Sequence, residues 1–262
     1  MSKLLDLLDR IREGAPAPIG FGVTRPEKLP GMALIGLVSK DYAEGMAVVA
    51  KQGLDAAIVA GADGPEGVKE AGVGLKDKPW GARVTSLSQD EAQAYQDNGS
   101  DLLVFPLEGT AASALANEEI ARILCIEPNM EDRELRAVSS LPVDCFLLPL
   151  SQAGDSLTLS DLAAVGSVSR RSDKYILLEV SRLPNAKDLE ALRDIGVHGL
   201  VLDVGAVSAK SLKELKDALM EMPRPTFKRK GRTLAILPGS AFSPPAEPEP
   251  QEEEEEEEED YE

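Results

Sequence analysis

A repeat of short apolar runs constrains the fold of this chain more than any other feature of its sequence. Eight runs occur between residues 33 and 205, and successive starts lie 23, 24, 22, 19, 24, 30 and 24 residues apart. They begin at Ala33, Ala56, Trp80, Leu102, Ala121, Cys145, Tyr175 and Gly199. Each run is rich in Val, Ile and Leu and lacks alternating polar residues, which is typical of a parallel strand buried on both faces.

The segments between the runs have helical patterns. One helix over Asn185–Ile195 has Asn185 as its cap and Gly196 as its terminator. Further helices are predicted over Asp41–Gln52, Gln89–Asn98 and Lys210–Met220. Gly109–Glu119 has room only for a short helix. Eight strand–helix units predict an α/β fold, a closed (β/α)₈ TIM barrel, because the alternative, an open doubly wound sheet, would leave two strand edges unprotected.

Both ends of the chain predict additions to the barrel. Ser2–Arg12 has an apolar helical face, so we expect a lid under the barrel floor, with a partner-binding helix as the alternative. Pro18–Thr24 and Thr233–Gly239 predict two extra strands that could pair with each other. The predicted divisions are 1–30 (helix and extra strand), 31–223 (barrel), 224–239 (basic loop and extra strand) and 240–262 (acidic tail).

The net charge of −18 is concentrated in the acidic tail, which holds twelve acidic residues and no Lys or Arg. The other 239 residues carry only −6, and this argues against a nucleic-acid-binding protein because phosphate binding needs clustered basic residues. We expect the tail to be disordered. A basic cluster precedes it: Arg224, Lys228, Arg229, Lys230 and Arg232. The tail either improves solubility or binds this cluster or a basic partner protein.

Several absences narrow the location and chemistry. No apolar run reaches the roughly 18 residues of a membrane span, and the start lacks a signal-peptide pattern, so we expect a cytoplasmic protein. Cys125 and Cys145 have no CxxC spacing and are expected to be small buried hydrophobes. His198 precedes the eighth run and should lie at the floor with a structural role. No lysine lies within the later strands, which argues against Schiff-base chemistry.

Charged residues at the carboxyl ends of the predicted strands are the candidate functional groups, because sites in this fold lie there. The acids are Glu127, Glu179 and Asp203, and the cations are Lys40, Arg83 and Arg182. An outward-facing charge would be desolvated under the helices, so we expect the acids to face the mouth of the lumen. There, carboxylates can serve as catalytic acid and base while cations hold an anion. The alternatives are a salt-bridged plug and, for the three acids, a Mg²⁺ site.

The stretch Tyr175–Leu215 resembles the closing quarter of the phosphate-binding (aldolase-type) (β/α)₈ barrels, which include thiamine-phosphate synthase, indole-glycerol-phosphate synthase and flavin-dependent nitronate monooxygenases. The likeness lies in a strand, a turn, a helix of the pattern xxDLxxLxxxGVxGLVL, a second strand and a glycine-containing turn. It implies that backbone N–H groups after the two strands cradle a phosphate. The matching positions are Ser181, Arg182, Gly205, Ala206 and Val207, with Ser208 as a helix cap. Asp203 departs from the pattern, which has an apolar residue or glycine there.

Three functions are consistent with these patterns, and none assigns a reaction or a cofactor. The first is a small-molecule-binding barrel for an anionic metabolite, phosphorylated or carboxylated, that uses the cations and acids named above. The second is a non-catalytic barrel that acts as an interaction module through its acidic tail. The third is a flavin-binding barrel.

Overall fold

A computed structural model describes residues 2–13, 29–75, 77–150 and 157–222 of the chain. Eight parallel strands form a closed barrel in chain order, and the last strand pairs with the first. The strands are β1 (Ala33–Val38), β2 (Ala56–Ala60), β3 (Trp80–Arg83), β4 (Leu102–Pro106), β5 (Ala121–Cys125), β6 (Cys145–Leu150), β7 (Tyr175–Val180) and β8 (Gly199–Asp203). Each begins at the first residue of one apolar run. The predicted (β/α)₈ barrel is therefore confirmed, and the open sheet is excluded.

Helices precede the barrel and follow its strands. They are α1 (Lys3–Glu13), α2 (Tyr42–Gln52), α3 (Gly64–Gly72), α4 (Gln89–Asp97), α5 (Asp132–Ser139), α6 (Leu159–Arg171), α7 (Ala186–Asp194) and α8 (Ala209–Glu221). The connection from β4 to β5 contains only a short 3₁₀ helix, Ala112–Ala116. This is the connection in which the sequence leaves room for only a short helix. Within the described residues, no helix has both the length and the apolar character needed to cross a membrane.

The strands are apolar on both faces because each face packs into a separate core. Inward residues such as Ile35 and Ile58 fill the lumen and are fully buried. Outward residues such as Leu34, Phe146 and Leu178 pack against the helices and are also fully buried. Burial on both sides of the sheet explains why the runs lack the polar alternation of a half-exposed strand.

Local signals set the helix ends. The Asn185 side chain accepts hydrogen bonds from the N–H groups of Lys187 and Asp188, which confirms the predicted cap of α7. Gly196 follows the end of α7 with a φ of 99°, and a Cβ there would lie 2.2 Å from Ser169 Oγ. Glycine is the residue that adopts this backbone conformation without steric cost.

The N-terminal helix closes the floor of the barrel, as predicted. Leu4 and Leu8 are fully buried against the inward residues at the start of the strands. Asp101, directly before β4, accepts hydrogen bonds from the backbone N–H groups of Lys3 and Leu4 at 2.7 and 3.0 Å. The Tyr175 hydroxyl, at the start of β7, donates to a carboxylate oxygen of Asp9. The lid is thus held by apolar burial and by polar contacts to two strands.

Residues directly before three strands bind the backbone of the preceding strand at the same end of the barrel. Each accepts the N–H of that strand's second residue. The donor–acceptor pairs are Leu34 to Asp55 at 2.8 Å, Arg122 to Asp144 at 2.8 Å and Ile176 to His198 Nδ1 at 3.1 Å. These side chains therefore satisfy strand-end N–H groups and help to fix the register at the floor.

Several predictions concern residues outside the described ranges. These are the extra strands at Pro18–Thr24 and Thr233–Gly239, the basic cluster, and the acidic tail. The division of the chain into the four predicted segments also depends on these residues, and it stays a prediction.

Candidate functional site

Because every second residue of a strand faces the lumen, four side chains at the strand ends lie at its mouth. Leu37, Arg83, Cys125 and Glu179 continue the inward-facing positions of β1, β3, β5 and β7. Alternate strands of such a barrel contribute side chains to the same layer of its interior. The layers below this one are apolar, so the first charged groups above the core are Arg83 and Glu179.

Arg83 and Glu179 form an ion pair between strands that are not neighbours in the barrel. Arg83 Nη1 donates to both carboxylate oxygens of Glu179, at 3.0 and 2.9 Å. The side chains are 31% and 23% exposed, so the pair is partly shielded from water but open to it on one side. A charge-assisted contact in this environment is stronger than one on the surface. A direct contact between these two charges is also what the alternative, a salt-bridged plug, requires.

Cys125 lies beside this pair and was expected from the sequence to be a plain core residue. Its Sγ is 3.9 Å from Arg83 Nη2, and the side chain is half-buried, whereas Cys145 is fully buried as expected. Burial raises the pKa of the Cys125 thiol, and the nearby Arg83 opposes that effect only in part. The thiol is therefore protonated at neutral pH and is a poor nucleophile.

An open cavity of about 540 Å³ lies at the mouth against β1, β6, β7 and β8. Glu179, Ser181 and Asp203 supply its polar side chains. Apolar side chains supply the rest of the lining: Leu37, Pro149, Leu150, Val180, Ala206 and Val207. The cavity therefore includes several positions that the sequence predicted to bind a ligand, and its volume is in the range of small-molecule sites.

The turn after β8 is already organised by its own side chains. Asp203 Oδ1 accepts a hydrogen bond from the N–H of Gly205 at 2.8 Å. Ser208 Oγ accepts one from the N–H of Ser211 at 3.1 Å and so caps α8. The Gly205 N–H, which the family resemblance assigns to a phosphate, thus has an internal acceptor in this structure. A phosphate would have to replace the Asp203 carboxylate to use that donor.

Three other predicted residues lie outside the cavity lining. Lys40 is exposed in the turn after β1, next to Asp41, whose φ is 45°. Arg182 is exposed after β7. Glu127 is exposed two residues beyond the end of β5, so it does not interrupt that strand. Of the six charged residues predicted for the site, Arg83 and Glu179 meet directly, and Asp203 shares the cavity with Glu179.

The magnesium alternative requires the three predicted acids to converge on one ion. In the described part of the chain, no group of three or more His, Cys, Asp or Glu side chains is placed to hold a metal. The required convergence of Glu127, Glu179 and Asp203 is therefore absent from this arrangement.

Sequence reasoning missed a charged residue on the outside of the barrel. Arg122, the second residue of β5, pairs with Asp144 at 2.9 Å and donates to the Leu115 carbonyl at 2.9 Å. It lies where the short 3₁₀ helix replaces a full helix. The hydrogen bond to Asp144 raises the pKa of Arg122. An outward strand charge is tolerated here because it is paired and hydrogen-bonded, and the acidic residue directly before the sixth run was its sequence signal.

His198 lies at the floor, as predicted. Burial, assisted by nearby Arg12, lowers its pKa to about 4, and its ring packs edge-on against Tyr175 with centroids 5.1 Å apart. The neutral ring accepts the Ile176 N–H described above, so its contacts are structural.

Comparisons with known proteins support the fold at low sequence identity. No protein-family model matches the chain, and no curated protein sequence matches it. Tryptophan synthase from M. tuberculosis matches with a TM-score of 0.57 and 15% identity, covering 84% of this chain and 98% of that chain. A variant tryptophan synthase α-subunit from Pyrococcus furiosus has a TM-score of 0.56 and 12% identity over 72% and 97% of the two chains. A 3-hexulose-6-phosphate synthase has a TM-score of 0.56 and 17% identity over 72% and 99%. These likenesses confirm the predicted (β/α)₈ fold.

Proposed function

We propose that the mouth of this barrel binds a small anionic metabolite, phosphorylated or carboxylated. The observation that carries the proposal is the Arg83–Glu179 ion pair, which lies at the edge of a cavity of about 540 Å³. An inward guanidinium at the carboxyl end of a strand lies where ligands bind in this fold. Arginine suits the role because its planar group binds carboxylates and phosphates in two-point contacts.

Arg83 serves as the cation, and Glu179 holds it in place before the ligand arrives. A ligand anion exchanges with the Glu179 carboxylate for one side of the guanidinium. The two cavity carboxylates, Glu179 and Asp203, are then the groups available to exchange a proton with the ligand. In the alternative, a salt-bridged plug, the same ion pair would only stabilise the barrel, and Arg83 would not exchange Glu179 for a ligand.

The fold adds support by analogy. The name of 3-hexulose-6-phosphate synthase, one of the similar structures, describes a phosphorylated sugar. Fold alone does not assign a ligand, so Arg83 and the cavity are the main support for an anionic ligand. No contact within the described ranges favours the flavin-binding or tail-dependent alternative, and we retain one candidate function.

A ligand screen tests the proposal. The full chain is screened by thermal shift against phosphorylated and carboxylated metabolites, and each ligand that raises Tm is titrated by calorimetry. Arg83→Met should weaken binding at least tenfold, because the charged contact is lost. Arg133→Met, which removes an exposed arginine on α5, is the matched control and should bind normally.

Two results would count against the proposal. If no anion in the screen raises Tm, the mouth does not bind this class of ligand. If Arg83→Met and Arg133→Met bind a discovered ligand equally well, the ion pair is a plug and the ligand binds elsewhere.

A further inference from the structure

Among the described residues, the charged side chains that line the cavity at the mouth are both acidic. Glu179 and Asp203 are the only charged side chains in the lining within the described residues. Arg83 touches Glu179 from the side but is not part of the lining. A ligand in the cavity therefore meets two carboxylates directly, with the Arg83 guanidinium beside one of them.

Breaking the ion pair leaves the Glu179 carboxylate in need of a new hydrogen-bond donor. When a ligand anion takes the Arg83 guanidinium, the partly buried Glu179 carboxylate loses its charged partner. A part-buried carboxylate without a donor is costly, and it also repels the acid group of the ligand. Binding of a purely anionic ligand would thus be opposed by the residue that it displaces.

Asp203 also has a carboxylate oxygen that lacks a hydrogen-bond donor among the described residues. Its Oδ1 is occupied by the Gly205 N–H, whereas its Oδ2 has no hydrogen bond or ion pair to any residue in the described ranges. The side chain is part-buried and lines the cavity. A carboxylate oxygen without a partner in this position favours a ligand group that donates hydrogen bonds or carries positive charge.

From these charges we infer that the ligand carries an amine as well as an acid group. The acid group binds Arg83, and the ammonium group binds between Glu179 and Asp203. The apolar part of the lining accommodates a short hydrocarbon segment that links the two groups. This inference rests on the proposed function and specifies the ligand class for the same cavity.

Three matched probes separate the two ideas: 4-aminobutyl phosphate, butyl phosphate and butylamine. Their binding to the full chain is measured by calorimetry at pH 7 and low salt. We expect 4-aminobutyl phosphate to bind at least tenfold more tightly than either of the others, because each end contributes a charge-assisted contact. The same comparison with 4-aminobutyrate and butyrate covers the carboxylate class.

Each outcome decides a different point. If butyl phosphate binds as tightly as its amino form, the mouth is an anion site without amine recognition and the inference is wrong. If butylamine alone binds as tightly, the proposed anionic function fails although the carboxylates recognise amines. If no probe binds, the proposed function and the inference both fail.

A variant pair locates the amine contact. Asp203→Asn keeps an oxygen that can accept the Gly205 N–H, so the turn is retained while the charge is removed. It should reduce the preference for 4-aminobutyl phosphate over butyl phosphate at least fivefold. Asp63→Asn is the control, because Asp63 is exposed after β2 at the same end of the barrel and does not line the cavity. An unchanged preference in Asp203→Asn would contradict the inference.

Discussion

The floor and the mouth of this barrel both contain charged side chains, but they use them differently. At the floor, Asp55, Asp101 and Asp144 each accept a backbone N–H group, and Asp55 and Asp144 also form ion pairs with Lys216 and Arg122. At the mouth, Asp203 also accepts a backbone N–H group, but the hydrogen bonds of the Glu179 carboxylate to described residues all come from one side chain, Arg83. Backbone partners are fixed by the register of the sheet, whereas a side-chain partner can be exchanged for a ligand. The floor is therefore built for stability, and the mouth retains polar groups that can bind something else.

Apolar burial is a second difference between the two ends. The lid buries Leu4 and Leu8 completely, and so seals the floor. The mouth carries three of the exposed large hydrophobic residues among the described residues: Leu107, Leu159 and Leu183. Mutations at the floor should therefore change the free energy of unfolding more than mutations at the mouth, which should mainly change ligand binding.

Truncation of the lid should have the largest effect on stability. Leu8→Ala removes a fully buried side chain and leaves a cavity under the barrel, which should lower the free energy of unfolding by about 3 kcal/mol. Leu159→Ala is the matched control, because that side chain is 84% exposed, and it should change stability by less than about 0.5 kcal/mol. Urea unfolding followed by circular dichroism measures both. Similar losses in the two variants would break the distinction between floor and mouth.

Acidification should weaken the floor through His198. Its pKa is lowered to about 4 in the folded protein, so at pH 5 the unfolded chain takes up a proton that the folded chain does not. The stability that comes from the neutral ring is complete above the ordinary pKa of 6.5 and is lost as the pH falls from 6.5 towards 4. This difference in proton uptake predicts that the free energy of unfolding falls by about 2 kcal/mol between pH 7 and pH 5.

The matched variant for this prediction is His198→Asn. Asparagine has an oxygen that can accept the Ile176 N–H but has no titrating ring. Urea unfolding at pH 7 and pH 5 should show that the variant loses about 2 kcal/mol less than the original chain over this range. Parallel pH dependence in the two proteins would mean that other groups cause the acid sensitivity.

Loss of one partner of the mouth ion pair should have a moderate effect on stability. Arg83→Met leaves a partly buried carboxylate without its cation, which should cost between about 1 and 2 kcal/mol. Arg83→Met combined with Glu179→Met should cost less than the single change, because no charge is then left unpaired. The free energies of unfolding of Arg83→Met, Glu179→Met and the double variant, measured in urea, complete a double-mutant cycle. Strictly additive losses would show that the pair contributes no coupling.

The smallest expected effect concerns Ser208, a mouth residue whose side chain accepts a backbone N–H group, as the floor carboxylates do. Ser208→Ala removes the cap of α8 and should cost about 1 kcal/mol. Ser160→Ala, at an exposed position in the first turn of α6, should change stability by less than about 0.5 kcal/mol. Thermal unfolding monitored by calorimetry can resolve the difference. Equal Tm values would show that the cap contributes little at this end of the barrel.

Much of the fold could be predicted because the burial of each strand is visible in the residue types of that strand alone. All eight strand starts, the α7 cap and the lid coincide with their patterns. The short connection before β5 was also visible from spacing, and it contains a 3₁₀ helix. These features depend on neighbouring residues along the chain, and so one sequence was sufficient for them.

The candidate site was predicted less completely because it depends on the closed geometry of the barrel. The positions of Arg83 and Glu179 were visible, but their pairing depends on the tilt of the strands and on the lengths of the two side chains. Glu127 was expected at the carboxyl end of its strand and facing the mouth of the lumen, but β5 ends at Cys125 and Glu127 is exposed two residues further along. Cys125 was identified as a core residue, because nothing in its sequence neighbourhood shows that Arg83 reaches it from another strand.

The attachment of the lid has a consequence for the order of folding events. Lys3 bonds to a residue 98 positions away, and Asp9 to one 166 positions away. Such contacts require β4 and β7 to be in place, so the first helix of the chain should dock late in refolding. Its contacts would then be weak in the transition state, and substitutions at Leu4 or Leu8 should speed unfolding while leaving the refolding rate nearly unchanged. The lid would thus set how long the barrel stays folded and have little influence on how fast it forms.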